Sequence, residues 1–475
     1  MNKLSLKEKL IFGSLAILAI LASGFVIAKT GTDSIGLILA FFFLIIAIYK
    51  TFKDPFWGFS AMVFFLPFER FPTYNLGGID IKINTVLGFL VLFAWILSLM
   101  YNAKKWKIQP NVLLAPIGLF VMALLLSLTQ ATFLDRSYQV LVFVLFTIAV
   151  GLMSTSMIQS RDDLIKVLKV LLISATVVAI FSFFQFAGDI IGLPKDITLL
   201  KQGYGSEVFG FPRIQAFSME PLYLADYLFI PIMLGLAYFF GKNQTLSNRW
   251  WLAGLTTALI TILVLTVSRG AYLGFAVALL VMAIFQFRQI FTWKHILVGF
   301  LAVLIIGGGV YFALSKGNPQ AINEFIGHVS LNDYSNGESI QGRLSAFELA
   351  YQAFLHHPIL GIGLGNYGPY ANGYIGQTPA GGWDIVNNEY LEILAETGIV
   401  GISAFFLIIL TLIGRSFWAI YKAKDEFLKL TLIGLITAMI AILVQYVSFS
   451  TLYIFHIWIL IGLIVATQNL ILKKE

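Results

Sequence analysis

Cysteine is absent from this chain, which excludes a disulfide framework, a thiolate nucleophile and any cysteine-ligated zinc site. Histidine is scarce. There are five, none at HxxxH or HExxH spacing, so a histidine-rich metal centre is not expected. Charge is scarce too. Only 12% of the 475 residues are charged and 59% are apolar, against roughly 25% and 45–50% in an ordinary soluble domain. Single soluble cores stop growing near ~250–300 residues, so the apolar excess needs a bilayer as its solvent. The 43 Phe, 19 Tyr and 9 Trp, with a mean hydropathy of +0.88, suit lipid-facing and interfacial surfaces.

What is present is a series of long apolar runs. They lie near 10–28, 35–49, 55–68, 84–101, 112–130, 137–157, 165–187, 221–241, 250–267, 271–287, 295–314, 398–421, 427–447 and 452–472. The first follows Lys3, Lys7 and Lys9 and is too long for a signal-peptide core, so it reads as a retained helix. The fold class is all-α, a polytopic bundle of about 12–14 spans. Starting from a cytoplasmic N-terminus and alternating sides, 21 of the 31 Lys+Arg fall inside and 17 of the 24 Asp+Glu outside. The inner basic residues form short clusters such as Lys104, Lys105 and Lys107. This positive-inside pattern predicts both termini in the cytoplasm. The sequence reads as one membrane domain over 1–475, with an outer loop at 188–220 and an extracytoplasmic cap at 315–396. Long loops of this kind usually carry function.

Ionisable residues in those loops are the candidates for chemistry. Arg343 and Lys316 are the basic residues of the cap. A guanidinium holds phosphate bidentately and keeps its charge, or it pairs with Glu338 or Glu348 on a solvated helix. Arg269 lies in Ser268-Arg269-Gly270, the tip between two apolar runs, where it is either an interfacial anchor or a ligand to an anion. Arg213 and Glu220 end the first long loop, and Asp226 sits just inside the next span. Intramembrane acids are functional candidates, while Glu220-Pro221 also suits a helix start. Gly361-Ile362-Gly363-Leu364-Gly365 is weak evidence for a phosphate loop. It equally permits close approach of backbone to a ligand or to another helix.

Read together, Arg343-Leu344-Ser345-Ala346-Phe347, then Pro358 to Tyr367, then Asn388-Glu389-Tyr390-Leu391-Glu392 to Gly398 resembles the signature region of the O-antigen ligase and Wzy-type polymerase superfamily. Ser268 to Ala271 is similar to that family's other arginine motif, and Arg213 with Phe217 to Tyr227 to a looser one. The resemblance spans about 213–401. It implies a helical, GT-C-like glycosyltransferase of the bacterial cytoplasmic membrane, acting outside it without metal or cofactor. It implies an undecaprenyl-diphosphate-linked glycan as donor, a lipid, glycan or protein as acceptor, membrane lipids as surroundings and no nucleic-acid partner. Arg269 and Arg343, with Arg213, are then the diphosphate-binding residues.

The family's ligases usually place histidine where this chain has Asn387, and an amide is no general base. Glu389 is the first candidate for that role and Glu392 the second, with Asp384, His356 and His357 behind them. Asn387 is a candidate for orienting the acceptor hydroxyl, and Asn388 and Tyr390 are further site candidates. The helix near Asn388 is also expected to aim free N–H groups at the site. Acids in a helix's first turn are common for dipole reasons alone. Besides a ligase, the sequence is compatible with a polymerase of lipid-linked repeats. A flippase fits less well, because there is no half-to-half similarity and few charges lie at mid-span.

Overall fold

The computed structural model describes residues 45–71, 73–76, 79–101, 108–201, 203–317, 319–329, 338–374, 379, 382–450 and 452–473. The first predicted span and most of the second lie outside the described residues, as does Lys474. The described chain is helical apart from one hairpin. The elements are α1 (Pro55–Phe64), β1 (Thr73–Leu76), β2 (Ile79–Lys82), α2 (Ile83–Tyr101), α3 (Leu114–Ser127), α4 (Leu134–Met157) and α5 (Arg161–Ile190). There follow α6 (Pro221–Gly241), α7 (Arg249–Leu265), α8 (Arg269–Ile290), α9 (Trp293–Gly317), α10 (Pro319–Val329), α11 (Glu338–His356), α12 (Glu389–Lys422), α13 (Glu426–Gln445) and α14 (Phe455–Leu472).

Among the described residues nine helices are long and apolar enough to cross a membrane, and three more, at 55–64, 114–130 and 249–265, are apolar but shorter. These twelve correspond to the third to fourteenth predicted runs. The protein is therefore a multi-pass membrane protein of the all-α class. The hairpin was not expected. Its register pairs Leu76 with Ile79.

Helix starts follow local chemistry. Pro55 and Pro221 take first-turn positions, where a missing N–H costs nothing. Ser160 and Asp425 cap α5 and α13 by accepting from the N–H groups of Asp163 and Leu428. With hydropathy nearly uniform around most of the spanning helices, small residues that let backbones approach shape the packing. A Cβ on Gly462 of α14 would lie 2.5 Å from the Gly151 carbonyl of α4, and one on Gly274 of α8 would lie 2.5 Å from the Ala441 carbonyl of α13. Helices α6, α13 and α14 form the buried centre, while α8 and α9 are peripheral. In that centre His456 Nε2 of α14 meets Asp226 Oδ2 of α6 at 3.0 Å, both side chains buried.

Candidate active site

Two groups of side chains meet at one end of the bundle. The first is built around the loop before α6. Ile214 N–H donates to the Leu265 carbonyl at 3.2 Å, and Arg213 N–H to the Tyr204 carbonyl at 2.8 Å. These bonds lay the loop against the α7–α8 connection. The Arg213 guanidinium then donates to the carbonyls of Thr266 and Val267, each at 3.2 Å, and lies over the Tyr204 ring. Arg269, two residues further on, opens α8.

Arg213 and Arg269 both act on the Tyr272 hydroxyl, and Arg343 of α11 is among the charges acting on Arg213. The structure thus brings the three arginines singled out in the sequence into one electrostatic neighbourhood. Burial lowers the Arg213 pKa and Arg343 adds to that as a like charge, while Tyr204, Glu220 and Tyr272 oppose it. Glu220 makes no side-chain cap on α6; both its oxygens accept the Tyr204 hydroxyl, at 2.7 and 2.8 Å. Burial, then this contact, raises the Tyr204 pKa.

Arg70 joins the same group. It stands 4.4 Å from the centre of the Tyr223 ring and acts on both Tyr223 and Tyr204. Nothing marked it in the sequence, because it lies between two apolar runs, far from the other arginines in the chain.

The second group belongs to the start of α12. Glu389, Glu392 and Glu396 line a small cavity with Arg136, Gly365, Thr397 and Tyr453. The three acids follow helical spacing, so they share one face. Glu396 is the most tightly held. Its carboxylate accepts the N–H groups of Gly365 at 2.7 Å and Tyr367 at 3.0 Å. The glycine motif therefore wraps a carboxylate and a helix turn, the second of the two readings its sequence allowed. Gly361, Gly363 and Gly365 all have positive φ, and a Cβ on Gly361 would lie 2.3 Å from the Glu396 carbonyl carbon. Arg136 of α4 closes the loop by donating to the Gly365 carbonyl and lies over the Trp383 ring.

Glu389 is 3% exposed and one oxygen accepts the Leu452 N–H at 3.0 Å. Glu392 differs. It interacts with Ser450 and the Val386 N–H, yet among the described residues its Oε2 is buried with no hydrogen-bond partner, and it borders the cavity. Asn388 caps α12, its Oδ1 accepting from Leu391 N–H at 3.1 Å. The Glu389 N–H is taken by the Tyr446 carbonyl at 2.9 Å. The helix end is therefore already occupied at these positions, and the expectation that it offers free donors to an anion is corrected. Asn387 has φ 56°, a conformation asparagine tolerates, and its side-chain amide donates to the Ile385 carbonyl at 3.4 Å. The Tyr390 hydroxyl donates to the Leu443 carbonyl at 2.6 Å, which ties α12 to α13.

Asp226 lies in the bundle centre with His456 and does not line the cavity. Asp384 is exposed and accepts from the Asn372 amide at 3.0 Å. His356 and His357 are exposed at the end of α11. Tyr453 connects the two groups. It feels Glu392, Glu389 and Glu396 on one side and Tyr223 on the other, and Tyr223 in turn feels Arg70 and Glu220. The arrangement is an arginine-rich surface beside a carboxylate-lined cavity, suited to an anionic leaving group next to a hydroxyl nucleophile.

No curated protein matches the chain. Residues 253–406, which hold Arg269, Arg343, the glycine loop and the three glutamates, match the family model described as O-Antigen ligase, so this part of the chain is similar to that family.

Proposed function

We propose that the protein transfers a glycan from undecaprenyl diphosphate to a lipid or protein acceptor, as an O-antigen ligase does. The observation that carries this reading is the gathering of Arg213, Arg269 and Arg343 beside a cavity in which Glu392 keeps a buried oxygen without a partner. In the proposed reaction Glu392 takes the proton of the acceptor hydroxyl. The freed oxygen attacks the anomeric carbon of the donor sugar. The bond from that carbon to the diphosphate oxygen breaks, and the electron pair leaves with the diphosphate. Fixed guanidinium groups stabilise the charge that develops there. Glu389 is the weaker candidate for base, since Leu452 already claims one of its oxygens.

The test is mass analysis of diphosphate-linked glycans with purified protein and in cells deleted for it. Transfer of the glycan off the lipid supports the proposal, with long lipid-linked chains accumulating in the deletion. Accumulation of single repeats instead assigns the protein as a polymerase, and no change in either pool rejects both.

The proposal carries two further expected results. The site end of the bundle faces outward from the cytoplasmic membrane, on the charge asymmetry of the loops. A cysteine placed at Gly373, which is exposed, should react with an impermeant maleimide in intact cells. Labelling only after lysis reverses the topology. The second result concerns metal. Among the described residues no group of three His, Asp or Glu side chains could hold a metal ion, and arginines can supply the positive charge. Transfer should survive EDTA at the untreated rate; loss restored by one divalent ion removes this part of the proposal.

A further inference from the structure

We infer that Arg70, which lies outside the matched family region, is a fourth arginine of the anion site and binds the same diphosphate as Arg213, Arg269 and Arg343. The inference rests on the proposed function and deepens it. Arg70 comes from the connection between α1 and the hairpin, and its backbone N–H is tied to the Phe217 carbonyl at 3.4 Å. Phe217 stacks on Phe68 at 4.2 Å and on Phe181 at 4.3 Å. That packing fixes the strand of chain carrying Arg70 against the loop carrying Arg213.

The guanidinium then lies over the Tyr223 ring, which is one turn into α6 and faces Phe449 at 4.8 Å. Its reach includes Tyr204, the same hydroxyl that Glu220 holds and Arg213 influences. The neighbouring acid, Glu69, is buried and pairs instead with Lys82 at 3.6 Å. Among the described residues Arg70 forms no ion pair. Arg70 also hydrogen-bonds the Tyr223 side chain, but with no carboxylate at hydrogen-bond distance it keeps its charge and its remaining donors for a ligand. The chemistry it would recognise is a phosphate of a prenyl diphosphate.

The experiment is titration of the full chain in detergent with farnesyl diphosphate, with farnesyl monophosphate and with farnesol. Arg70→Ala should weaken diphosphate binding by about 10–100-fold, the loss of one hydrogen-bonded charge contact. Monophosphate binding should fall less, and Arg70→Lys should recover part of the loss. Arg269→Ala serves as the control for the shared site. If Arg70→Ala binds diphosphate like wild type while Arg269→Ala does not, Arg70 is not part of the site and the proposed function stands. If wild type itself shows no preference for diphosphate over farnesol, the parent reading falls and this inference with it. Should Arg70→Ala not fold, Arg70→Gln answers the same question, with weakened binding supporting the assignment and unchanged binding overturning it.

Discussion

Arg269→Ala and Arg343→Ala should each lower glycan transfer by about 10²–10³-fold, the usual consequence of removing one fixed donor from a developing anion. Both changes should leave membrane insertion and thermal stability near wild type, since neither side chain is fully buried. Arg343→Lys should remain poor, because a point charge replaces a planar fork. Arg213→Ala belongs to a different class. Its guanidinium also holds the carbonyls of Thr266 and Val267, and Val267 has φ 50°. That variant should lose stability along with activity, as the α7–α8 connection loosens. Turnover of a diphosphate-linked donor, measured beside a melting curve, separates the two behaviours. Wild-type turnover in both Arg269→Ala and Arg343→Ala would place the anion site elsewhere.

The second large effect concerns Glu392. Glu392→Gln should reduce kcat by about 10²–10⁴-fold, the contribution typical of a general base. Glu389→Gln should cost far less, because an amide oxygen can still accept the Leu452 N–H. Asn387→Ala should fall between them, losing an orienting amide and straining a left-handed backbone position. The pH–rate profile gives an independent reading. A carboxylate base must be ionised to accept a proton, so the wild-type rate falls as the solution is acidified. In Glu392→Gln this acid limb should vanish from what rate remains. Full rate in Glu392→Gln, or an unaltered acid limb, assigns the proton transfer to another group.

Much of this site was legible in the chain because it is written in sparse charge. In a sequence so poor in ionisable residues, each arginine at a loop tip stands out, and Arg213, Arg269 and Arg343 were visible for that reason. Helix positions were equally legible, since an apolar run of bilayer length has few alternatives. The break at Gly398 was visible only as a change from signature to span. There φ is 63° and a Cβ would lie 2.3 Å from the Ile359 carbonyl oxygen, so the turn carrying the glutamates and the span beyond it meet through a residue only glycine suits.

Other features depend on tertiary neighbours and could not be read. Arg70 and Arg136 are each alone in sequence and gain meaning from Tyr223 and Gly365. The role of Asn388 as a cap and of Glu396 as the anchor of the glycine loop needed the loop's path. The hairpin did leave a signal, two short β-prone segments around Gly77-Gly78, which the surrounding apolar runs overshadowed. His456 is one of five scattered histidines and carries no signal of its own in the sequence, whereas its partner Asp226 stands out as an acid just inside a span.

That last pair has a consequence for the order in which the protein is made. Asp226 and His456 are separated by 230 residues. At synthesis rates of about 5–20 residues per second, α6 emerges roughly 10–50 s before α14 exists. Throughout that interval the aspartate stands near the start of its span without its imidazole, at a cost bounded by the about 2.5–3.5 kcal/mol of an acid at a helix centre. Early helices must therefore be sheltered by one another or by the insertion machinery until a late one arrives. The bond at the centre of the bundle is a late event in its biogenesis, and it joins the early half of the chain to the last helix described.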